Sequence, residues 1–226
     1  MRVIFNEEMK AVADDLDHMA QDVRKAINQA GDALLKQDVE AAQAVIDGDV
    51  EIDALESSII DQCVKLLAKQ TPVATDLRVV VSTLRLASTF ERMGDLARHI
   101  AETARRSYPE SPLPDNAKDL FAQMQEFLDE TADNVVAMLA DRDAKIADRV
   151  IRNDDKLDAL HHRTFELALG ENWNGNNQQL IDVVLLGRFM ERLGDHAVSA
   201  ARRVVFITSG FDPSKEPTRD EEGSLD

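Results

Sequence analysis

The chain contains one pattern twice, and that repetition limits its fold more than any single residue does. Phe90-Glu91-Arg92-Met93-Gly94-Asp95 returns one hundred residues later as Met190-Glu191-Arg192-Leu193-Gly194-Asp195. Upstream, Val45-Ile46-x-x-Asp49-x-x-Ile52-Asp53-Ala54-Leu55 matches Val150-Ile151-x-x-Asp154-x-x-Leu157-Asp158-Ala159-Leu160 at an offset of 105. Met19, Leu34 and Asp38 meet Met124, Leu139 and Asp143 at that same offset. The change from 105 to 100 takes five residues out between the second and third elements of the second copy. Two tandem copies of one supersecondary unit is the economical reading.

Each unit reads as three helices. Apolar residues at Met9, Val12, Leu16, Met19, Val23, Ile27, Ala30 and Leu34 are spaced by three and four, which is one face of a long helix. Asn6, followed by Glu7 and Glu8, is expected to cap its start. A break at Gln37-Asp38 leads to a second helix capped by Asp38, with a face of Ala42, Val45, Ile46, Ile52, Leu55, Ile59, Val64 and Leu67. Gly48 within it is expected to mark a bend or a close approach. Thr71-Pro72 ends that helix, and Thr75 or Asp76 is expected to cap the third, whose face runs Val80, Leu84, Ala87, Phe90, Met93, Ala97 and Ile100. Three prolines between Pro109 and Pro114 cannot be helical and predict a stiff connector.

Beyond the connector the pattern restarts. Leu120, Met124, Phe127, Leu128, Val135 and Leu139 form a fourth helical face, and Asp141-Arg142-Asp143 the break. Ile146, Val150, Ile151, Leu157, Leu160 and Leu167 form a fifth. An Asn- and Gly-rich loop from Gly170 to Asn177 precedes a sixth helix that stops at Gly210. The expected protein is all-α: a three-helix repeat over 1–108, a connector over 109–114, a second three-helix repeat over 115–210, and a disordered acidic tail over 211–226. Helices of 30 residues are about 45 Å long, so each bundle is elongated. Only nine glycines and six prolines leave little material for an all-β fold. With aromatics at 4%, packing falls to Leu, Ala, Val and Ile.

A net charge of −17 argues against a nucleic-acid binder, which needs a basic footprint, and against lying on an anionic bilayer. It suits cation binding or a basic partner surface. The single cysteine, Cys63, lies in an apolar run and reads as a buried small hydrophobe. No stretch is apolar for long enough to span a membrane, and the N-terminus lacks the layout of a secretion signal. A cytoplasmic protein is expected.

Glu91 and Asp95, four residues apart, share a helix face, as do Glu191 and Asp195. The repeat supplies a second pair per copy, Asp49/Asp53 and Asp154/Asp158, on the neighbouring helix. Antiparallel neighbours at matching heights bring four carboxylates to one patch, the oxygen-rich setting that hard cations favour. Uncompensated, the acids repel, so a cation, Arg92 and Arg192, or raised pKa values must relieve them. Gly94 and Gly194, costly within a helix, suggest close approach. The opposing reading is that acids at this spacing merely solvate an exposed face. His196 reads as packed at the edge of the second site, with an extra ligand as the alternative, and His161-His162 as a solvated pair rather than a metal site.

The duplicated layout and the paired E-R-[ML]-G-D boxes resemble the PhoU family, accessory regulators of phosphate-specific transport. The resemblance covers about residues 5 to 210 and includes Asp76-Leu77-Arg78 and Gly194-Asp195-His196-Ala197. It implies carboxylate motifs holding multinuclear metal clusters: Asp49, Asp53, Glu91 and Asp95 in the first repeat, Asp154, Asp158, Glu191 and Asp195 in the second, with the crowding acids Glu51, Glu56 and Asp155 as substitute ligands beside the aspartate pairs. Iron is the metal implied first, with zinc, manganese, magnesium or nickel as alternatives. It also implies a non-enzymatic negative regulator between the ATPase subunit of a phosphate transporter and a sensor histidine kinase, reaching the membrane only through partners. Left-over apolar faces would allow the homodimer expected here. The second repeat departs from the pattern at Asn176-Asn177-Gln178, where Asp-Leu-Arg is missing, so a partner contact through that triplet would use one repeat only.

Two readings from other classes stand beside this one. The same acids could serve a metal-dependent hydrolase or oxidase, or the chain could be a metal-free helical adaptor. Glu-x-x-His, phosphate-loop, nucleophile-elbow and zinc spacings are all absent from the sequence.

Overall fold

The computed structural model describes residues 2–210, with side chains from residue 4 onward. The expected tail at 211–226 lies outside the described residues. Six long α-helices follow in order: α1 (Arg2–Lys36), α2 (Val39–Gln70), α3 (Ala74–Ser107), α4 (Lys118–Ala140), α5 (Ala144–Leu169) and α6 (Asn177–Ser209). A 3₁₀ turn at Asp115–Ala117 precedes α4.

The repeat is built into the turns. Gln37 and Arg142, equivalent positions, both take left-handed φ values of 58° and 48°. Each is followed by an aspartate that caps the next helix. Asp38 accepts from the Glu40 and Ala41 amides, both at 3.0 Å. Asp143 accepts from Lys145 and Ile146 at 2.7 and 3.4 Å. Asn176 caps α6 through a reciprocal box with Gln179, and Gly210 closes it at φ 76°.

Three local expectations are corrected. Asn6 lies inside α1, which is helical from Arg2 onward because Phe5 is drawn into the core and keeps the preceding turn folded. Neither Thr75 nor Asp76 caps α3: the extended Val73 takes that position without a side-chain bond, and both residues fall in the first turn. On α2, Val64 is exposed while Cys63 and Leu66 are buried, since a period of 3.6 from Ile59 lands on these two.

α1, α2 and α3 pack on one another, as do α4, α5 and α6. The two repeats then join through α3 against α6 and α1 against α4. Both contacts run antiparallel. Arg78 lies over the Phe206 ring while Arg106 bonds Asp182 at the other end of α3 and α6, and Gln125 reaches the Ile27 carbonyl while Asp133 pairs with Arg24. α2 and α5 remain on the flanks. One buried core runs through both repeats, from Met19 and Phe90 to Met124 and Met190. The connector is part of it: Pro112, Leu113 and Pro114 are buried, and Gln179 donates to the Ser111 carbonyl at 3.1 Å.

Candidate functional site

The acid pairs sit where a flanking helix meets a central one, and a glycine makes the meeting close. A Cβ added to Gly94 would lie 3.1 Å from Ile52 Cδ1 and 3.6 Å from Asp49 Oδ1. On Gly194 it would lie 2.5 Å from Leu157 Cδ2 and 3.3 Å from Asp154 Oδ1. The boxed glycines therefore draw α2 onto α3 and α5 onto α6 at the height of the aspartates. Gly48 does no such thing, because open space lies where its Cβ would be.

In the first repeat all four expected carboxylates share one field. Burial raises the pKa of Asp49, with Asp53 and Asp95 adding to the shift and Arg98 opposing it. Burial likewise raises Glu91, helped by Asp95, Glu56 and Asp53 and opposed by Arg92. The second repeat behaves alike, and more strongly at Asp154. Burial, then Asp158 and Asp195, push Asp154 up to about 6, and burial with Asp195 and Asp158 raises Glu191 against the pull of Arg188. Asp49 and Glu91 are largely shielded, while Asp53, Asp158 and Asp195 are exposed.

The expected Arg92 relieves the first cluster in part, and a second cation does so at shorter range. Arg92 is exposed and holds Glu91 and Asp95 only at 3.4 Å. Arg98, one turn further on, places Nε 2.6 Å from Asp49 Oδ2 in an ion pair. Its Nη2 donates to Asp95 Oδ1 at 2.7 Å and its Nη1 to Glu102 at 2.9 Å. These contacts raise the arginine's own pKa, the Asp95 bond first, so it is held protonated. Arg192 makes no ion pair among the described residues and faces His196, whose pKa is lowered by burial and then by Arg192 and Arg92. His196 is half-buried at the edge of the second site, as expected.

His161 departs from the solvated-pair reading. It is half-buried, its ring centroid lies 5.0 Å from that of Phe165, and its Nε2 is enclosed without a hydrogen-bond partner. Burial, then Arg188, lower its pKa. His162 is the exposed member. Glu56, one of the crowding acids expected as substitute ligands, accepts from Ser88 at 2.8 Å, whereas the sequence reading missed Arg188, which donates to Glu191. Arg188 lies three residues before Glu191, so stepping one turn outward from each pair would have found it.

Carboxylate oxygens suit hard cations, but the two repeats fit one differently. In the first, a guanidinium already stands between Asp49 and Asp95 as a substitute cation. In the second, Asp154, Asp158 and Asp195 have no ion-pair partner among the described residues, and Asp154 feels only the more distant pull of Arg202. No group of three or more His, Cys, Asp or Glu side chains among the described residues stands preformed around an ion position. The acids are neighbours in one field rather than a finished shell.

The family model described as the PhoU domain matches residues 16–104 and 121–204, one match per repeat. The chain belongs to the PhoU family. The phosphate-specific transport system accessory protein PhoU homolog 1 of Mycobacterium leprae is 34% identical over 216 residues, covering 96% of this chain and 97% of that protein. PhoU homolog 2 of Mycobacterium tuberculosis is 34% identical over 213 residues, 94% of this chain and all of that one. The crystal structure of PhoU from Pseudomonas aeruginosa superposes with a TM-score of 0.85 at 26% identity, over 92% of this chain and 100% of that one. That of PhoU from Streptococcus pneumoniae gives 0.81 at 23% identity, over 92% and 98%, a likeness of fold. The PhoU matches leave out the connector, and no helix among the described residues is long and apolar enough to cross a membrane.

Proposed function

We propose that this PhoU protein is an accessory regulator of phosphate-specific transport that acts without catalysis of its own. It lowers phosphate uptake and silences the phosphate-starvation response when phosphate is plentiful, by contacts with the ATPase subunit of the transporter and with a sensor histidine kinase. The observation that carries the reading is the match of both repeats, almost end to end, with accessory proteins of that transport system. The protein works in the cytoplasm, as a homodimer, and meets the membrane through its partners.

The eight carboxylates are the candidate donors for cations, iron before zinc, manganese, magnesium or nickel. A bound cation would supply charge neutralisation and could offer open coordination positions. The chain's own part is to hold the flanking helices α2 and α5 against α3 and α6. Repelling acids straddle each contact, so its stiffness depends on how their charge is balanced. A partner that reads the outer helices would thereby sense that balance.

Deleting the gene in its native host and following a phosphate-starvation promoter in high phosphate tests the regulatory role. Derepression that a wild-type copy reverses is expected; unchanged silence of the promoter refutes it. Capture of the transporter ATPase and the kinase on the tagged protein, lost at high salt, is the matching biochemical result.

A further inference from the structure

The two repeats share their paired acids and differ in the charges around them, Arg202 standing at the slot of Glu102 and pulling on Asp154 without an ion pair among the described residues. At the slot one turn beyond the box aspartate, the first repeat has Arg98 and the second has Val198. At the slot one turn before the box glutamate, Ser88 is replaced by Arg188. Arg98 reaches across the helix contact, holding Asp49 of α2 and Asp95 of α3 at 2.6 and 2.7 Å and Glu102 at 2.9 Å. Val198 is a core residue at 5% exposure and carries no charge. Arg188 is 53% exposed and bonds Glu191 on its own helix, so it ties nothing on α5 to α6.

We infer that Arg98 is a built-in counter-cation, so that the first repeat closes without metal and the cation requirement of this protein falls on the second. The inference rests on the proposed reading that the carboxylate patches take cations. A guanidinium bound to two carboxylates of the same patch competes with a metal twice over. It occupies the oxygens a metal would need, and its charge repels the newcomer at short range. The second patch keeps the oxygens of Asp154, Asp158 and Asp195 clear of ion pairs among the described residues, and the enclosed His161 Nε2 lies one turn beyond Asp158. His161 stands where the first repeat has Glu56, which places a nitrogen where the first repeat has another oxygen.

The test is manganese(II) uptake by the full chain after chelation, read as metal per chain by elemental analysis following gel filtration. Asp154→Asn with Asp158→Asn should abolish uptake. Arg98→Val, the second repeat's own residue at that slot, should open the first patch and roughly double the metal per chain. Its melting temperature should fall in chelator and rise with manganese more than that of the wild type. Circular dichroism establishes that each variant is folded, and Arg98→Met replaces Arg98→Val should the latter fail to fold. Manganese retained by Asp154→Asn/Asp158→Asn, or no gain on removing Arg98, overturns the inference while leaving the carboxylate reading intact. No manganese on the wild type or on any variant overturns both.

Discussion

Of the ion pairs that join the two repeats, the one between α3 and α6 has halves in unlike surroundings, which makes the outcome of breaking it directional. Asp182 on α6 is 1% exposed, and its Oδ1 accepts from Arg106 of α3 and, at 3.0 Å, from Gln178. Its Oδ2 has no partner. Arg106 is 56% exposed. Arg106→Ala therefore strands a buried carboxylate that is already half-satisfied, whereas Asp182→Asn leaves an arginine that water can serve. Breaking a fully buried pair costs about 3–5 kcal/mol, and solvent access at the arginine reduces this to roughly 2–3 kcal/mol. Asp182→Asn should cost about 1 kcal/mol or less. At roughly 2–4 °C per kcal/mol for a chain of this size, Arg106→Ala should lower the melting temperature by about 5–10 °C and Asp182→Asn by no more than about 4 °C. The double variant Arg106→Met/Asp182→Leu should recover most of the loss, because apolar replacement of a buried pair is close to neutral. Calorimetry of the three variants measures the differences. Equal losses from the two single variants, or a double variant worse than Arg106→Ala, would show that the pair is not controlled by the burial of Asp182.

Other consequences can be checked alongside. Gly194→Ala drives a Cβ to 2.5 Å from the buried Leu157 and should destabilise by roughly 1–2 kcal/mol, overpacking outweighing the helical gain of alanine. Gly94→Ala meets Ile52 at 3.1 Å and should be near neutral, so urea midpoints separate the two. Gly31→Ala collides with the buried Gln125, and the additional change Gln125→Ala should restore its melting temperature. Cys63 is fully buried and burial lifts its thiol from 9.0 to about 11. Its neutral form is the one the fold favours, so the stability advantage over Cys63→Ala is complete below pH 9 and shrinks as the pH rises through about 11. The thiol should also resist a disulfide reagent at pH 8 until denaturant is added. Asp38→Ala and Asp143→Ala each remove an equivalent helix cap and should each cost about 1 kcal/mol in denaturant unfolding.

Much of this protein can be read without coordinates because its information is periodic. Spacing by three and four reveals each helix, since a helical chain buries one stripe and little else. Duplication reveals the order of the six, and capping chemistry places the turns at Asp38 and Asp143. The glycine of each box also announces itself, since only a close neighbour makes that choice worthwhile within a helix. Where reading failed, the chain's own packing or backbone decided: Phe5, packed into the core, extended α1 past Asn6, and the extended backbone at Val73 displaced the expected caps of α3.

The partnership between charges belongs to the folded chain. Arg92 adjoins the acids in sequence yet faces water, while Arg98 reaches the cross-helix position because a side chain one turn on points back over the preceding turn. Likewise Leu113, in a proline-rich stretch that looks like a spacer, is 2% exposed within the shared core. Helical period and duplication are properties of one strand of residues and survive in its order. Which arginine neutralises which acid, and whether two bundles keep one core or two, depends on distances between helices far apart in the chain, and those exist only after packing.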